Sequence, residues 1–212
     1  MTDSQSPPAS RRAQFLEIAR RRFVADGYAR TPVSAIVREA GVAQGTFYLY
    51  FKGKQALLAE LRREVFRDYA STLVSEGARD CPADERLARV VTAMVDAVAR
   101  NLDLERVFRH AESAEDTLRV AREGRHRLAT TAISFLEEGA EQGIFAVHDH
   151  ARTATFIVTF FDHILYEAWV YEPESIHAVL EASLRFVLLG VGVPTARVDA
   201  LVAESRRWRP SP

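Results

Sequence analysis

The chain has 212 residues with 28 Lys and Arg against 29 Asp and Glu, a formal net charge of −1. Hydrophobic residues make up 48%, which supports one large or two small domains with a full core. The single cysteine, Cys81, excludes an internal disulfide framework and a cysteine-rich zinc site. With no N-terminal apolar leader and no apolar run of bilayer length, the expectation is a cytoplasmic protein with no membrane contact.

Residues 1–10 are Ser/Pro-rich and read as a disordered arm. From Ser10 to Ala25, Phe15, Ile18, Ala19 and Phe23 form a helical stripe, which Gly27 ends. Thr31 offers a hydroxyl cap to the next helix, and Pro32 suits a first helical position, where no N–H is needed. Val33, Ile36, Val37 and Ala40 then recur at three- and four-residue steps, and Gly41 supplies the positive φ that stops the helix. A further helix runs from about Ala43 to Phe51. Phe47, Tyr50 and Phe51 share one of its faces, while Gly45, Thr46, Tyr48 and Leu49 lie opposite, with Gln44 at the start. The outer face holds no acidic residue, and Gly45 lets the backbone itself approach a partner.

Beyond Lys54 the apolar periodicity predicts helices over Gln55–Glu76, Asp84–Asn101, Leu104–Ser113, Glu115–Gln142, Asp149–Tyr171 and Glu174–Leu189. Gly143 stops the fourth of these, and Asp149 caps the fifth. Residues 195–208 read as a final helix or a basic tail. Glycine and proline are sparse after Ser10 and β-type alternation is missing, so the fold class is all-α.

Charge is unevenly spread. Residues 1–67 carry 12 basic against 6 acidic side chains, a net of +6, which leaves −7 for the remainder of a chain of net −1. A basic head on an acidic body fits a nucleic-acid-binding module joined to one that does not touch nucleic acid.

Three helices, two of them set by a glycine turn, make a helix-turn-helix unit. Ala19–Tyr28 (ARRRFVADGY), Ala35–Val42 (AIVREAGV) and Gly45–Lys54 (GTFYLYFKGK) resemble the DNA-binding domain of the TetR family of bacterial transcription regulators. The resemblance covers the first quarter to third of the chain; the rest agrees in length and helical pattern. It implies an N-terminal three-helix DNA-binding domain over 11–54, an effector-binding and dimerisation domain over 55–194, and a tail or short helix over 195–212. The helical wheel and the family pattern together place Thr31, Ser34, Tyr50 and Lys54 at phosphates, and Gln44, Gly45, Thr46 and Tyr48 at base edges, of double-stranded DNA carrying a palindromic operator.

Thr155–Tyr171 and Ile176–Val193 are apolar nearly all round, so each must be covered on all sides. Homodimerisation through the helices near 149–171 and 174–190 covers them, as the resemblance also implies. The body is expected to hold a pocket for a lipophilic small-molecule effector, with Met94, Phe108, Phe135, Phe156, Phe160, His163 and Tyr166 as candidate lining residues. Relatives of this kind bind acyl-coenzyme A or planar cations, which leaves a long-chain acyl compound as the first expectation and a multidrug or cation sensor as the alternative. Glu-x-x-His occurs at Glu123/His126 and Glu174/His177, the spacing of di-iron helical bundles, but Gly124 and flanking charges mark the first as surface and Pro173 sets the second in a first helical turn. No catalytic elbow, phosphate loop or dinucleotide fingerprint appears. The expectation is a ligand-responsive repressor with no cofactor and no metal, rather than an enzyme.

Overall fold

The computed structural model describes residues 8–111, 115–164, 166 and 176–207. Among these the chain is helical throughout, with no strand. In order the helices are α1 (Pro8–Asp26), α2 (Val33–Ala40), α3 (Gln44–Tyr48), α4 (Lys54–Gly77), α5 (Ala83–Arg100), α6 (Leu102–His110), α7 (Glu115–Glu141), α8 (His150–Thr159), a π-helical turn (Phe160–Ile164), α9 (Ile176–Gly190) and α10 (Thr195–Ser205). Two compact units result: Met1–Val65 with Asp103–Arg122, and Phe66–Leu102 with Glu123–Pro212. The expected division after Lys54 therefore falls within one continuous helix, α4, and residues 103–122 join the first unit.

In the first unit, Phe15, Ile18, Ala19 and Phe23 of α1 are buried, together with Ala35, Ile36, Val37 and Ala40 of α2. Gly41 sits at φ 66°, and the N–H groups of Gly41 and Val42 donate to the carbonyls of Arg38 and Val37. That is a Schellman stop, closed by a residue with no Cβ to strain. Gly27 and Gly143 also carry positive φ at the ends of α1 and α7. Pro32, at φ −77° and ψ 155°, precedes the first helical residue Val33, one position earlier than the composition implies.

The second unit is built on α5, which packs against α9 and the π-helical turn, while α9 packs against α10. Val198, Leu201 and Val202 bury the inner side of α10, and the Arg197 guanidinium donates to Asp84 (2.6 Å) and Glu85 (2.7 Å) of α5. The segment after 194 is therefore a docked helix through Ser205. Asp149 caps α8 by accepting from the Arg152 N–H at 2.9 Å. The single helix expected over Asp149–Tyr171 is instead interrupted at Phe160 by the π-helical turn. The expected continuation over 167–171, residues 174–175, the tail beyond 207 and the start of the arm (1–7) lie outside the described residues.

Within the first unit Arg62 of α4 and Glu105 of α6 form a buried ion pair at 2.5 Å, and the Arg62 guanidinium also lies 4.8 Å from the centre of the Phe108 ring. Truncating one partner strands a charge away from water. Glu105→Ala is expected to lower stability by about 3 kcal/mol, read as the shift in a urea unfolding midpoint; a midpoint within error of the parent would show that the pair does not hold α6 in place.

Candidate functional site

Helix α3 has five residues, too few to be stable alone. Its roll is set by aromatic packing. The Phe47 ring meets Phe15 edge-on at 5.3 Å, and Phe51 lies 5.9 Å from Phe47 and 6.4 Å from Phe15. Phe47 and Phe51 are buried, and Tyr50 is half-buried, its ring 5.9 Å from Phe15. With that side turned in, Gln44, Gly45, Tyr48 and Leu49 are exposed, Thr46 is half-exposed, and Ser34 of α2 is exposed. A Cβ added at Gly45 would meet nothing within 4 Å, so packing does not require glycine there.

Two of the expected phosphate contacts are placed differently. Thr31 is 1% exposed, and its hydroxyl donates to the Gly27 carbonyl at 2.9 Å rather than capping α2. It locks the corner between α1 and α2 from inside. The Lys54 ammonium donates to the carbonyls of Tyr28 (2.7 Å) and Ala29 (3.3 Å) and sits 4.3 Å from the centre of the Tyr28 ring. Two of its three donors are thus committed to the same corner. Partial burial lowers the lysine pKa and raises that of Tyr28. Tyr48 at 52% and Leu49 at 82% exposure instead dominate the outer surface of α3, flanked by exposed Arg38 and Lys52. Leu49, Arg38 and Lys52 share this exposed surface with the expected contacts; the helical wheel put Leu49 on the outer face, but an aliphatic side chain carried no chemical signal of its own.

Many arginines of this unit are paired: Arg21 and Arg22 with Glu39, Arg20 with Glu64 (3.3 Å), and Arg12 with Glu60 (3.0 Å). The formal excess of positive charge is therefore partly internal scaffolding.

The second unit contains a cavity of about 40 Å³ lined by Tyr69 and Leu73 of α4, Val90 and Met94 of α5, Leu128 and Ala132 of α7, Ile157 and Val158 of α8, and Phe161 and Asp162 of the π-helical turn. Of the seven residues expected around an effector, Met94 lines it. Phe108 belongs to the first unit. Phe135 is half-buried against Phe145 (5.9 Å) and the Arg86 guanidinium (5.2 Å). Phe156 is 64% exposed, and Phe160 stacks on the ring of Phe186 at 4.8 Å. His163 is exposed and Tyr166 buried, neither against this cavity. The cavity takes the inner face of α8 (157, 158, 161, 162), whereas Phe156 and Phe160 lie on its other face, with Phe186 (56% exposed) and Leu189 (45% exposed) of α9.

Among the described residues no three His, Cys, Asp or Glu side chains gather as metal ligands, and no helix is long and apolar enough to cross a membrane. Glu123 and His126 are both exposed, and Glu174 lies outside the described residues.

Two family models match the chain: the bacterial regulatory proteins of the tetR family over residues 15–61, and a tetracyclin repressor-like C-terminal domain over residues 80–166. The fatty acid metabolism regulator protein of Bacillus subtilis is 32% identical over 91 residues, 43% of this chain and 47% of that protein; the match thus spans about half of that regulator. The HTH-type transcriptional regulator AcrR of Shigella flexneri is 26% identical over 181 residues, covering 81% of this chain and 83% of its own. Among solved structures, FadR from Bacillus subtilis in complex with stearoyl-CoA superposes with a TM-score of 0.66 at 24% identity, covering 85% of this chain and 97% of its own; at that identity the likeness is one of fold.

The open space at Gly45 separates folding from contact at that position. Gly45→Ala is expected to stabilise the fold by about 1 kcal/mol through helix propensity, raising the melting temperature by about 2–4 °C, while weakening binding to a duplex selected from a random pool. Unchanged affinity would place the α3 backbone away from DNA.

Proposed function

The chain belongs to the TetR family of bacterial DNA-binding transcriptional regulators, not enzymes, and from that premise we propose that it is a homodimeric repressor released from a palindromic operator by a lipophilic effector, with a long-chain acyl compound such as an acyl-CoA as the first candidate. The observation that carries the DNA reading is the exposed, acid-free surface of α3, with Gly45 bare on it and Tyr48 and Leu49 projecting. Gln44, Gly45, Thr46 and Tyr48 are assigned to base edges, and Ser34, Tyr50 and the exposed Lys52 to phosphates. Lys54 supports the interface by holding the α1–α2 corner, with one ammonium donor left for a phosphate. Thr31 acts only through that corner.

One α3 reads too few base pairs for specificity, whereas two held about one DNA turn apart read a palindrome. The outward cluster of Phe156, Phe160, Phe186 and Leu189 supports pairing of α8 and α9 with the same helices of a second copy, because aromatic side chains this exposed are costly to leave in water. The effector reading rests on the apolar cavity of the second unit and on the shared fold with a regulator solved with stearoyl-CoA. As it stands the cavity has room for about one water-sized group, so a lipophilic effector must part its walls. Tyr69 and Leu73 lie on α4, the helix that begins at Lys54. Parting them displaces α4 and thereby the spacing of the two α3 helices.

Lys52→Ala is expected to weaken binding to all duplexes alike and reduce the slope of log affinity against log salt by about 1, whereas Tyr48→Ala weakens the selected operator more than random DNA. Fluorescence anisotropy at four salt concentrations reads both; a Lys52→Ala slope equal to the parent's would remove that residue from the phosphate contacts. Phe186→Glu is expected to yield monomers by sedimentation velocity and to abolish operator binding. Stearoyl-CoA added to the protein–operator complex should release the DNA; release by no acyl-CoA of any chain length would rule out the acyl reading.

A further inference from the structure

Leu49 is the most exposed large hydrophobic side chain among the described residues, at 82%. A single exposed aliphatic group is ordinary on a protein surface; this one is distinguished by its place and by how firmly it is held. It follows α3 directly, at φ −71° and ψ −24°, and its N–H donates to the Thr46 carbonyl at 3.3 Å. The next two N–H groups, of Tyr50 and Phe51, both donate to the Phe47 carbonyl at 3.0 Å. Phe47 and Phe51 are buried, so the backbone on either side of Leu49 is pinned while its own side chain is turned out. With so little of it covered, the isobutyl group adds little to the fold. No Asp or Glu occurs between Glu39 and Glu60, and Lys52 is exposed three residues on. That charge suits a polyanion.

In the major groove of a duplex, leucine has one complementary partner. It neither donates nor accepts a hydrogen bond, and against an amino group, a carbonyl oxygen or a ring nitrogen it strips water and returns nothing. The one apolar group on that edge is the thymine C5-methyl. We propose that Leu49 is a specificity-determining residue that packs on a thymine methyl, one in each half-site of the operator. The inference rests on reading α3 as the base-contacting helix, and it adds a base to that reading. Uracil presents the same hydrogen-bonding edge as thymine and lacks the methyl, so it isolates this contact.

The test starts from the duplex that the full-length protein enriches from a random pool. It is remade with deoxyuridine in place of each thymidine in turn, symmetrically in both half-sites, and binding is read by fluorescence anisotropy. One position is expected to lose about fourfold per half-site, about fifteenfold for the symmetric pair. At that position 5-methylcytosine should bind tighter than cytosine by a similar factor, because it restores the methyl on a different hydrogen-bonding edge. Leu49→Ala should bind the thymidine duplex about tenfold more weakly than the parent does, and should hold the thymidine and deoxyuridine duplexes within about twofold of each other. Lys52→Ala should weaken both duplexes alike and keep their ratio, as a phosphate contact would. Should Leu49→Ala lose helical circular dichroism, Leu49→Gln keeps the length without the branched apolar end and is read in the same way.

A parent that binds every deoxyuridine duplex as tightly as the thymidine one overturns the inference. So does a Leu49→Ala variant that keeps the parent's ratio; if that variant also changes its sedimentation coefficient, the side chain belongs to a protein contact instead. Failure of the DNA reading looks different. No duplex is then enriched, or the enriched one binds no better than random DNA, and the thymine contact falls with it. An enriched duplex that binds specifically but ignores its methyls removes Leu49 alone and leaves the assignments of Gln44 and Tyr48 standing.

Discussion

The packing of Phe47 and Phe51 on Phe15 is the contact on which the exposed outer surface of α3 depends. A five-residue helix has no hydrogen-bond ladder worth the name, and an isolated α3 would be coil. Its rotation is decided by which side chains are buried, and the three rings at 5.3–6.4 Å decide it. Once Phe47 is inside, the 100° step of the helix leaves Gly45 and Tyr48 outside, Gln44 is exposed as the first residue of the helix, and the tightened last turn turns Leu49 out as well. The corner between α1 and α2 is a second fixed point of this unit. Thr31 and Lys54 serve the corner by satisfying the carbonyls of Gly27, Tyr28 and Ala29, groups that a short loop would otherwise leave to water.

The division of labour between the two units follows from how each treats charge. In the first, carboxylates such as Glu39, Glu60 and Glu64 neutralise arginines that orient α1, α2 and α4. The basic groups left at the outer face, Arg38 and Lys52, are few and well placed, which suits a contact in which phosphates set position and base edges set specificity. In the second unit the ion pairs tie helices together around an apolar interior. Arg197 links α10 to α5, Arg86 links α5 to Glu138 of α7 at 2.6 Å, and Arg125 links α7 to the π-helical turn.

Helix existence and helix stops were legible in the sequence because each has a local cause. Apolar residues at three- and four-residue steps mark a buried stripe, and Gly27, Gly41 and Gly143 adopt the positive φ that other residues resist. The exposed side of α3 was legible for the same reason. Thr31 and Lys54 were not, since a threonine before a helix and a lysine at a helix start carry the same letters whether they face solvent or a neighbouring carbonyl. The π-helical turn was not legible either. One extra residue in a helical turn leaves the apolar pattern of 155–164 almost intact while shifting which side chains point inward.

The aromatic residues of α8 were not assignable to one side either, and they do not surround the cavity. A helix apolar on every side has two surfaces to bury, and composition alone cannot assign a phenylalanine to one or the other. Large rings fill space, so they are poor walls for a hole that has to stay open; here the wall is made mainly by Val, Leu, Ile, Ala and Met with two aromatics. Phe156, Phe160 and Phe186 lie on the opposite surface, where broad flat rings suit packing against an identical surface related by a two-fold axis. One helix then borders both the cavity and the surface assigned to pairing. A ligand that forces Val158 and Phe161 apart from Met94 cannot leave Phe160 undisturbed, because Phe160 and Phe161 are consecutive and their rings are 5.3 Å apart. On the proposed reading, effector entry and pairing of two copies are coupled through that single step of the chain.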